Sequence, residues 1–128
     1  MPLVVAELVV RTYLAAQFPD ARVVTEAPGN LNEVLPCIEV GRFGGGDDVY
    51  TLDVANLDVD VYAATRPAAL DLAEQVRTSL RLHAEGQEVD GALIAQVATL
   101  SAPKWVPYDN TTLRRISASY RIAIRSVP

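Results

Sequence analysis

The alternation of apolar and polar side chains is most regular between Leu57 and Leu80. Apolar and acidic side chains alternate from residue 57 to residue 61, and Tyr62 follows them. An alternation with period two is typical of a strand with one buried face. Thr65 then provides a helix N-cap, and Pro67 lies in the first turn, where a missing N–H costs nothing. The helix predicted at 68–82 has one apolar stripe with the spacing i, i+3, i+4, i+7 and i+11: Ala69, Leu72, Ala73, Val76 and Leu80.

The same patterns predict a second helix and four further strands. A helix is expected at 3–18, ended by Pro19. Besides 50–62, which contains the alternating stretch, strands are expected at 21–25, 36–43, 92–100 and 113–127. The order helix, strands, helix, strands indicates an α+β fold, with a mostly antiparallel or mixed β-sheet flanked by two α-helices.

The first helix is apolar on most of its surface, because only Glu7 and Arg11 form a narrow polar line. Such a helix must be covered on most sides. A chain of 128 residues is the size of one domain, so residues 1–128 are expected to form a single domain with one core. The helix is therefore either simply well buried, or it offers a second contact surface with Val10 as an outward apolar position.

Two irregularities are expected around the 50–62 strand. Its apolar positions are even-numbered up to Val54 and odd-numbered from Leu57, which predicts a bulge or bend near Ala55 and Asn56. Before it, the run from Gly44 to Asp48 predicts a mobile hairpin loop that becomes ordered against a neighbouring molecule.

A rigid aromatic turn is predicted at 102–109, where Pro103 and Pro107 are expected to keep the chain out of regular ladders. Trp105 and Tyr108 lie in this turn. Aromatic residues are enriched in interface cores, so the two rings either form a partner-binding patch or cap the end of the sheet.

Charge and cysteine content narrow the class of protein. A net charge of −5 gives no general attraction to nucleic acid or to an anionic membrane. The single cysteine, Cys37, rules out an internal disulfide and fits a reducing compartment. The chain begins with no signal-peptide pattern, and its longest apolar stretch is too short to span a bilayer, so we expect a cytoplasmically made protein without a membrane span.

Few residues suggest catalysis. Asp58 and Asp60 lie roughly 7 Å apart on one strand face and could bind a divalent metal or act as acid and base. Their alternation with core residues favours a solvent-facing or ion-paired polar face, and Arg115 and Arg121 are the natural cross-strand partners if the two strands are neighbours. Cys37 and His83 form only a formal nucleophile–base pair, because a cysteine in an apolar strand is usually an inert core thiol.

The glycine run before Asp47 lacks the Gly-Lys-Ser/Thr ending of a phosphate-binding loop. We therefore predict no catalytic, metal-binding or cofactor-binding residue in the chain.

Several segments together resemble a known family. They are Pro-Cys-Ile-Glu-Val at 36–40, the glycine-rich segment, Leu-Asp-Val-Asp-Val-Tyr at 57–62, Pro-Lys-Trp-Val-Pro-Tyr-Asp at 103–109 and Arg-Ile-Ser-Ala-Ser-Tyr at 115–120. With the two helices, this pattern resembles tail terminator (tail completion) proteins of long-tailed, non-contractile-tailed bacteriophages, particularly those that infect actinobacteria. The likeness spans residues 3–125.

The resemblance implies a structural virion protein and not an enzyme. It implies a small α+β subunit that forms a homohexameric ring on the tail tube, stops polymerisation of the major tail tube protein and presents a surface to the head–tail connector protein. The ring would be assembled in the host cytoplasm and become part of the virion tail, and DNA would pass through it without specific binding. The residues expected at a subunit or partner interface are Val10, Phe43, Gly44, Gly45, Gly46, Asp47, Trp105 and Tyr108.

Two other interpretations of the sequence stay open. One is a neighbouring part of the same machine, either a head–tail stopper or a minor tail protein. The other is a small metal-dependent cytoplasmic enzyme that uses Asp58 and Asp60.

Overall fold

The computed structural model describes residues 4–47 and 52–127. In these residues, two α-helices pack on one face of a six-stranded sheet with the order β1-β2-β3-β6-β5-β4. Neighbouring strands are antiparallel except β1 and β2, which are parallel. The elements are α1 (Ala6–Gln17), β1 (Arg22–Val24), β2 (Cys37–Asp47), β3 (Asp53–Ala63), α2 (Arg66–Leu82), β4 (Glu88–Val89), β5 (Ala92–Val106) and β6 (Arg114–Ser126). The prediction of an α+β fold with a mixed sheet is confirmed.

The main core lies between the helices and the sheet. Odd-numbered residues of β3 and even-numbered residues of β6 face the helices. On this face, Leu57 of β3 lies opposite Tyr120 of β6. The N-cap prediction for α2 is confirmed, because the Thr65 hydroxyl accepts a hydrogen bond from the Ala68 N–H at 3.3 Å. None of the helices in the described ranges is long and apolar enough to cross a bilayer.

A smaller core lies on the opposite face of the sheet. The segment between β1 and β2, which includes a short 3₁₀ helix at Leu31–Glu33, covers the paired side chains of Cys37 and Tyr62 there. Glu39 holds this segment in place by accepting hydrogen bonds from the Ala27 N–H at 3.1 Å and the Tyr62 hydroxyl at 2.9 Å. The rest of that face carries no helix, because α1 and α2 both belong to the core on the other side.

The predicted bulge in the 50–62 strand is wrong. β3 pairs with β6 without interruption from Asp53 to Ala63, and its odd-numbered residues are buried throughout. The change from even-numbered to odd-numbered apolar positions suggested a bulge because the buried face begins with a charged residue, Asp53. This residue is buried with Arg42 as its partner. The register shift occurs instead in β2, between Arg42 and Gly44. Tyr50 lies outside the described residues.

The prediction of a loop from Gly44 is also wrong for the residues that the structure describes. The glycines and Asp47 belong to β2 and pair with residues of β3, while Asp48 lies outside the described residues. Gly45 has φ of 105°, and a Cβ on it would lie 1.9 Å from the carbonyl oxygen of Val54. This glycine therefore allows the two strands to approach each other closely.

β5 extends beyond its predicted end and includes most of the expected aromatic turn. It runs through Pro103 to Val106, and three register shifts interrupt its pairing with β6. Val97 pairs with Ile122 of β6 on one side, and on its other side it bonds to side chains. There its N–H donates to Glu85 at 2.9 Å and its carbonyl accepts a hydrogen bond from Arg81. Strand pairing thus continues past a proline because bulges accommodate it.

The expectation that Val10 faces outward is wrong, because its side chain is fully buried. Tyr13 of the same helix reaches α2, where its hydroxyl lies 2.8 Å from Ser79 Oγ. The large apolar side chains exposed here are Leu8 of α1 and its N-cap residue Val5, which are 50% and 58% exposed.

Candidate interaction surfaces

Asp58 and Asp60 lie on the helix-free face of the sheet, each directly opposite a serine of β6. The Ser119 hydroxyl donates to Asp58 Oδ1 at 2.7 Å, and the Ser117 hydroxyl donates to Asp60. The predicted partner Arg121 pairs instead with Asn56 across the two strands. The condition for these partners is met, because β3 and β6 are neighbours, but their register places serines opposite the two aspartates.

Burial raises the pKa of Asp60 above its ordinary value. The hydrogen bond from Ser117 and the charge of Arg115 lower the pKa, and the negative charges of Glu39 and Asp58 raise it. In the described ranges, no group of three or more His, Cys, Asp or Glu side chains is arranged to hold a metal ion. The two aspartates therefore form a hydrogen-bonded polar ladder with the serines.

The structure does not bring Cys37 and His83 together. Cys37 is buried in the smaller core, where burial and the nearby Glu39 carboxylate raise the pKa of the thiol to about 11. His83 caps the C-terminal end of α2, on the helix side of the sheet. A thiol with this pKa is overwhelmingly protonated at neutral pH and is a poor nucleophile.

One end of the sheet, which we call the hairpin end, is formed by residues 42–47 of β2, the paired residues 53–57 of β3 and the first turn of α1. Arg42 donates to both carboxylate oxygens of Asp53, at 2.6 and 2.8 Å, and its backbone N–H donates to Glu7 at 2.8 Å. Sequence reasoning missed this ion pair, although Arg42 beside a glycine run was its available signal. Phe43 is 54% exposed at this end.

The other end of the sheet, which we call the aromatic end, carries Trp105 and Tyr108 with cationic neighbours. The guanidinium carbon of Arg66 lies 5.1 Å from the centre of the Trp105 ring, and that of Arg115 lies 5.0 Å from the Tyr108 ring. Tyr108 also meets Tyr62 edge to face at 5.6 Å. Tyr108 thus packs against the end of the sheet but stays 37% exposed, and Trp105 is 43% exposed.

The hairpin end and the aromatic end lie at opposite ends of the same strands. β3 begins at Asp53 in the hairpin end and finishes at Ala63, opposite Arg114 at the aromatic end. Ten steps along a strand separate them by roughly 33 Å. Exposed aromatic side chains therefore lie at both extremes of the molecule.

A third surface is an apolar groove along α2, which we call the α2 groove. Its most apolar part has a volume of about 400 Å³ and is lined by Leu35, Pro36, Ala63, Ala64, Ala68 and Leu72, with Asp71 and Gln75. Leu72, Gln75 and Pro36 also line a hollow of about 270 Å³ that reaches Phe18 and Asp20. Leu72 of the predicted helix stripe thus lines a groove and is only partly buried.

Comparison of the whole sequence with protein families decides between these possible roles. Residues 3–128 match the model of a family described as "Phage tail termination protein". The chain belongs to this family. The resemblance found in the sequence is thereby confirmed, and family membership gives the chain a structural role in completing a phage tail.

The fold of this family member is also found in a solved virion. The chain is similar to one in the "Virion of native gene transfer agent (GTA) particle", with a TM-score of 0.64 and 19% identity over 88% of this chain and 84% of that chain. This likeness shows that the two chains share a fold. No curated protein sequence matches the chain.

Membership in the family makes the chain a structural component of the virion tail that associates with other virion proteins. The fold and the surfaces described above indicate where such contacts are available, because the hairpin end, the aromatic end and the α2 groove expose apolar side chains.

Proposed function

We propose that the protein forms a homohexameric ring that caps the tail tube, ends its polymerisation and joins the tail to the head connector. The observation that carries this proposal is the match of residues 3–128 to the phage tail termination family. Each subunit acts as one domain, its partners are the major tail tube protein and the head–tail connector protein, and the ring assembles in the host cytoplasm.

The positions of the exposed aromatic residues support a capping role. A ring between two other bodies needs two outward faces as well as contacts between subunits. Phe43 at the hairpin end and Trp105 at the aromatic end lie at opposite extremes of the sheet. Aromatic anchors that become desolvated carry much of the binding energy in protein interfaces. The residues from Phe43 to Asp47, with Trp105 and Tyr108, are accordingly our proposed contact positions.

The charge of the chain supports passage of DNA through the ring without specific binding. A net charge of −5 per subunit repels the phosphate backbone, since electrostatic attraction supplies most non-specific affinity for DNA. A ring of six such subunits would hold no passing duplex by its overall charge.

The polar ladder supports a structural role over a metal-dependent one. Asp58 and Asp60 already accept hydrogen bonds from Ser119 and Ser117, and they lie on a regular strand and outside the hollows described above. We propose that both aspartates are structural. Replacing each by asparagine should leave ring formation unchanged, and a stoichiometric divalent metal that both changes removed would contradict this.

The decisive experiment adds the purified protein to polymerising tail tube subunits and measures tube lengths by electron microscopy. We expect shorter tubes with a ring at one end. A Phe43→Ala variant tests the proposed contact at the hairpin end, and Leu82→Ala, at the end of α2, is its exposed apolar control. Unchanged tube lengths without terminal rings would overturn the capping function. Binding to the connector side alone would instead identify a head–tail stopper.

A further inference from the structure

We infer that the aromatic end of one subunit docks into the α2 groove of a second copy, and that this head-to-tail contact closes the ring. The inference rests on the proposed ring but goes beyond it, since it names the two surfaces that meet. A ring with rotational symmetry needs a heterologous interface, in which two different patches on each subunit complement each other.

The two patches are complementary in shape and polarity. The aromatic end presents the large, partly exposed rings of Trp105 and Tyr108. The α2 groove is concave and lined mainly by alanine, leucine and proline side chains, and its apolar part of about 400 Å³ is open to solvent. Aromatic anchors that fill such pockets are typical of the residues that dominate binding energy.

The two patches are also complementary in charge. Arg66 stacks on Trp105, and Arg114 and Arg115 line a hollow of about 220 Å³ with both aromatic residues. The carboxylates nearby are Asp109 in the adjoining loop and Asp60, whose charge acts on Arg115. Three carboxylates lie along the α2 groove and its neighbouring hollows: Asp20, Asp71 and Glu74.

None of the described residues that line the groove and these hollows is Lys or Arg. Gln75 donates to Asp71 at 2.8 Å, and Glu74 lies 3.8 Å from Arg77, and both carboxylates are exposed at the surface. In a chain of net charge −5, a cationic end is the distinctive partner for this acidic rim.

The patches lie on opposite flanks of the start of α2, as a head-to-tail contact requires. Trp105 belongs to β5, whereas Pro36 directly precedes β2, and β3 and β6 lie between those strands in the sheet. A subunit can therefore present its aromatic end to one neighbour while its groove receives the aromatic end of another.

The test uses two variants that each block one patch. Trp105→Ala removes the anchor, and Ala68→Arg places a long cation in the groove at an exposed helix position. Mass photometry measures assembly in solution, and electron microscopy measures it at the ends of tail tubes. Each variant alone should need at least a tenfold higher concentration to assemble, whereas Leu82→Ala should assemble as the unmodified protein does.

Mixing the two blocked variants separates a heterologous contact from other possibilities. Each chain retains the patch that the other lacks, so the mixture should form a one-to-one dimer and no ring. Circular dichroism and thermal unfolding check that each variant is folded. A charge exchange provides a second arm: Arg66→Glu and Asp71→Arg should each weaken assembly, and the double variant should restore it.

Rings that form from Trp105→Ala and from Ala68→Arg at the same concentration as the unmodified protein would overturn this inference and leave the capping function standing. Failure of charge restoration in the double variant would overturn the proposed pairing of the two patches. If the unmodified protein forms no ring, either in solution or on tail tubes, the proposed function itself fails.

Discussion

At the scale of single residues, Asp60 combines a half-buried carboxylate with two acidic neighbours, Glu39 and Asp58. Its pKa in the folded protein lies above the ordinary value, mainly because burial disfavours the charged form. Between the unfolded and folded pKa values, the folded state binds more protons than the unfolded state. Asp60 therefore lowers the free energy of unfolding as pH rises through that window.

Replacing Asp60 by asparagine should remove this loss of stability. We expect the variant to gain stability relative to the unmodified protein as pH rises from 4 to 7, by about 1 kcal/mol for each pKa unit by which folding raises the carboxyl pKa. The measurement is urea unfolding at several pH values. Glu88→Gln removes the same charge from the exposed strand β4 and is the control for net charge.

A stability difference between Asp60→Asn and the unmodified protein that stays constant from pH 4 to pH 7 would contradict this expectation. A further variant changes the pKa of Asp60 in the same direction as burial does, since Ser117 stabilises the charged form of Asp60 by donating a hydrogen bond. Ser117→Ala should raise the carboxyl pKa further and extend the decline in stability to higher pH.

At the scale of elements, the hairpin formed by β2 and β3 depends on Gly45. Gly45→Ala should destabilise the protein by more than about 2 kcal/mol, because the new Cβ would meet backbone atoms and the positive φ disfavours any L side chain. The measurement is thermal unfolding, with Gly46→Ala as the matched control because a Cβ there meets nothing within 4 Å. Equal effects of the two changes would show that the close approach at Gly45 is not structural.

The first helix offers an equally sharp comparison between two of its apolar residues. Val10→Asp should leave the protein largely unfolded, since it buries an unpaired charge in a fully buried position. Leu8→Asp, at a position 50% exposed, should cost less than about 1 kcal/mol and leave a folded subunit. Circular dichroism and urea unfolding distinguish the two outcomes. A folded Val10→Asp variant with unchanged stability would contradict the packing of α1 described here.

The elements were predictable wherever one periodicity dominated the sequence. The strand at 57–62, the Thr65 cap and the apolar stripe of α2 were visible because each follows a local rule. Val10 could not be assigned to a side, because a helix with apolar residues nearly all round does not specify which face meets the sheet. The burial of Asp53 could not be predicted for a different reason: it depends on Arg42, which approaches Asp53 only in the folded hairpin.

The candidate surfaces were less predictable than the elements. Trp105 and Tyr108 were recognisable as a patch from their aromatic character, but the stacking of Arg66 on Trp105 joins residues far apart in sequence. The α2 groove gave no sequence signal, since Leu35, Ala68 and Leu72 look like ordinary core residues until the chain folds.

At the scale of the whole molecule, the proposed contact between subunits joins a cationic patch to an acidic rim. Its strength should fall with salt, because the screening length shortens from about 10 Å at 0.1 M to about 3 Å at 1 M. We expect the concentration for half assembly to rise several-fold between 0.1 and 1 M sodium chloride, measured by mass photometry. The Arg66→Gln, Asp71→Asn double variant removes one charge from each patch, so it should assemble more weakly and depend less on salt than the unmodified protein does.

Assembly of the unmodified protein that is insensitive to salt, or that strengthens with it, would contradict an electrostatic contribution to the contact. The double variant guards against a general effect of salt on folding, because it retains the same core. Thermal unfolding in the same salt series completes the control.

The interrupted outer margins of the sheet have a consequence for the life of the subunit before assembly. β1 pairs with β2 only from Cys37 to Glu39, and β4 pairs with β5 only at Ala92 and Leu93. Beyond these short pairings, some backbone groups of β2 and β5 have other partners: the Arg42 N–H donates to Glu7, Val97 bonds to Glu85 and Arg81, and Ile94 bonds to the backbone of Gly86 and Gln87.

Pro103 and the successive bulges of β5 distort the remaining margin. Exposed strand edges are templates for uncontrolled cross-chain pairing, and capped or bulged edges prevent it. We therefore expect newly made copies to resist stacking into amyloid-like ribbons and to assemble mainly through side-chain contacts.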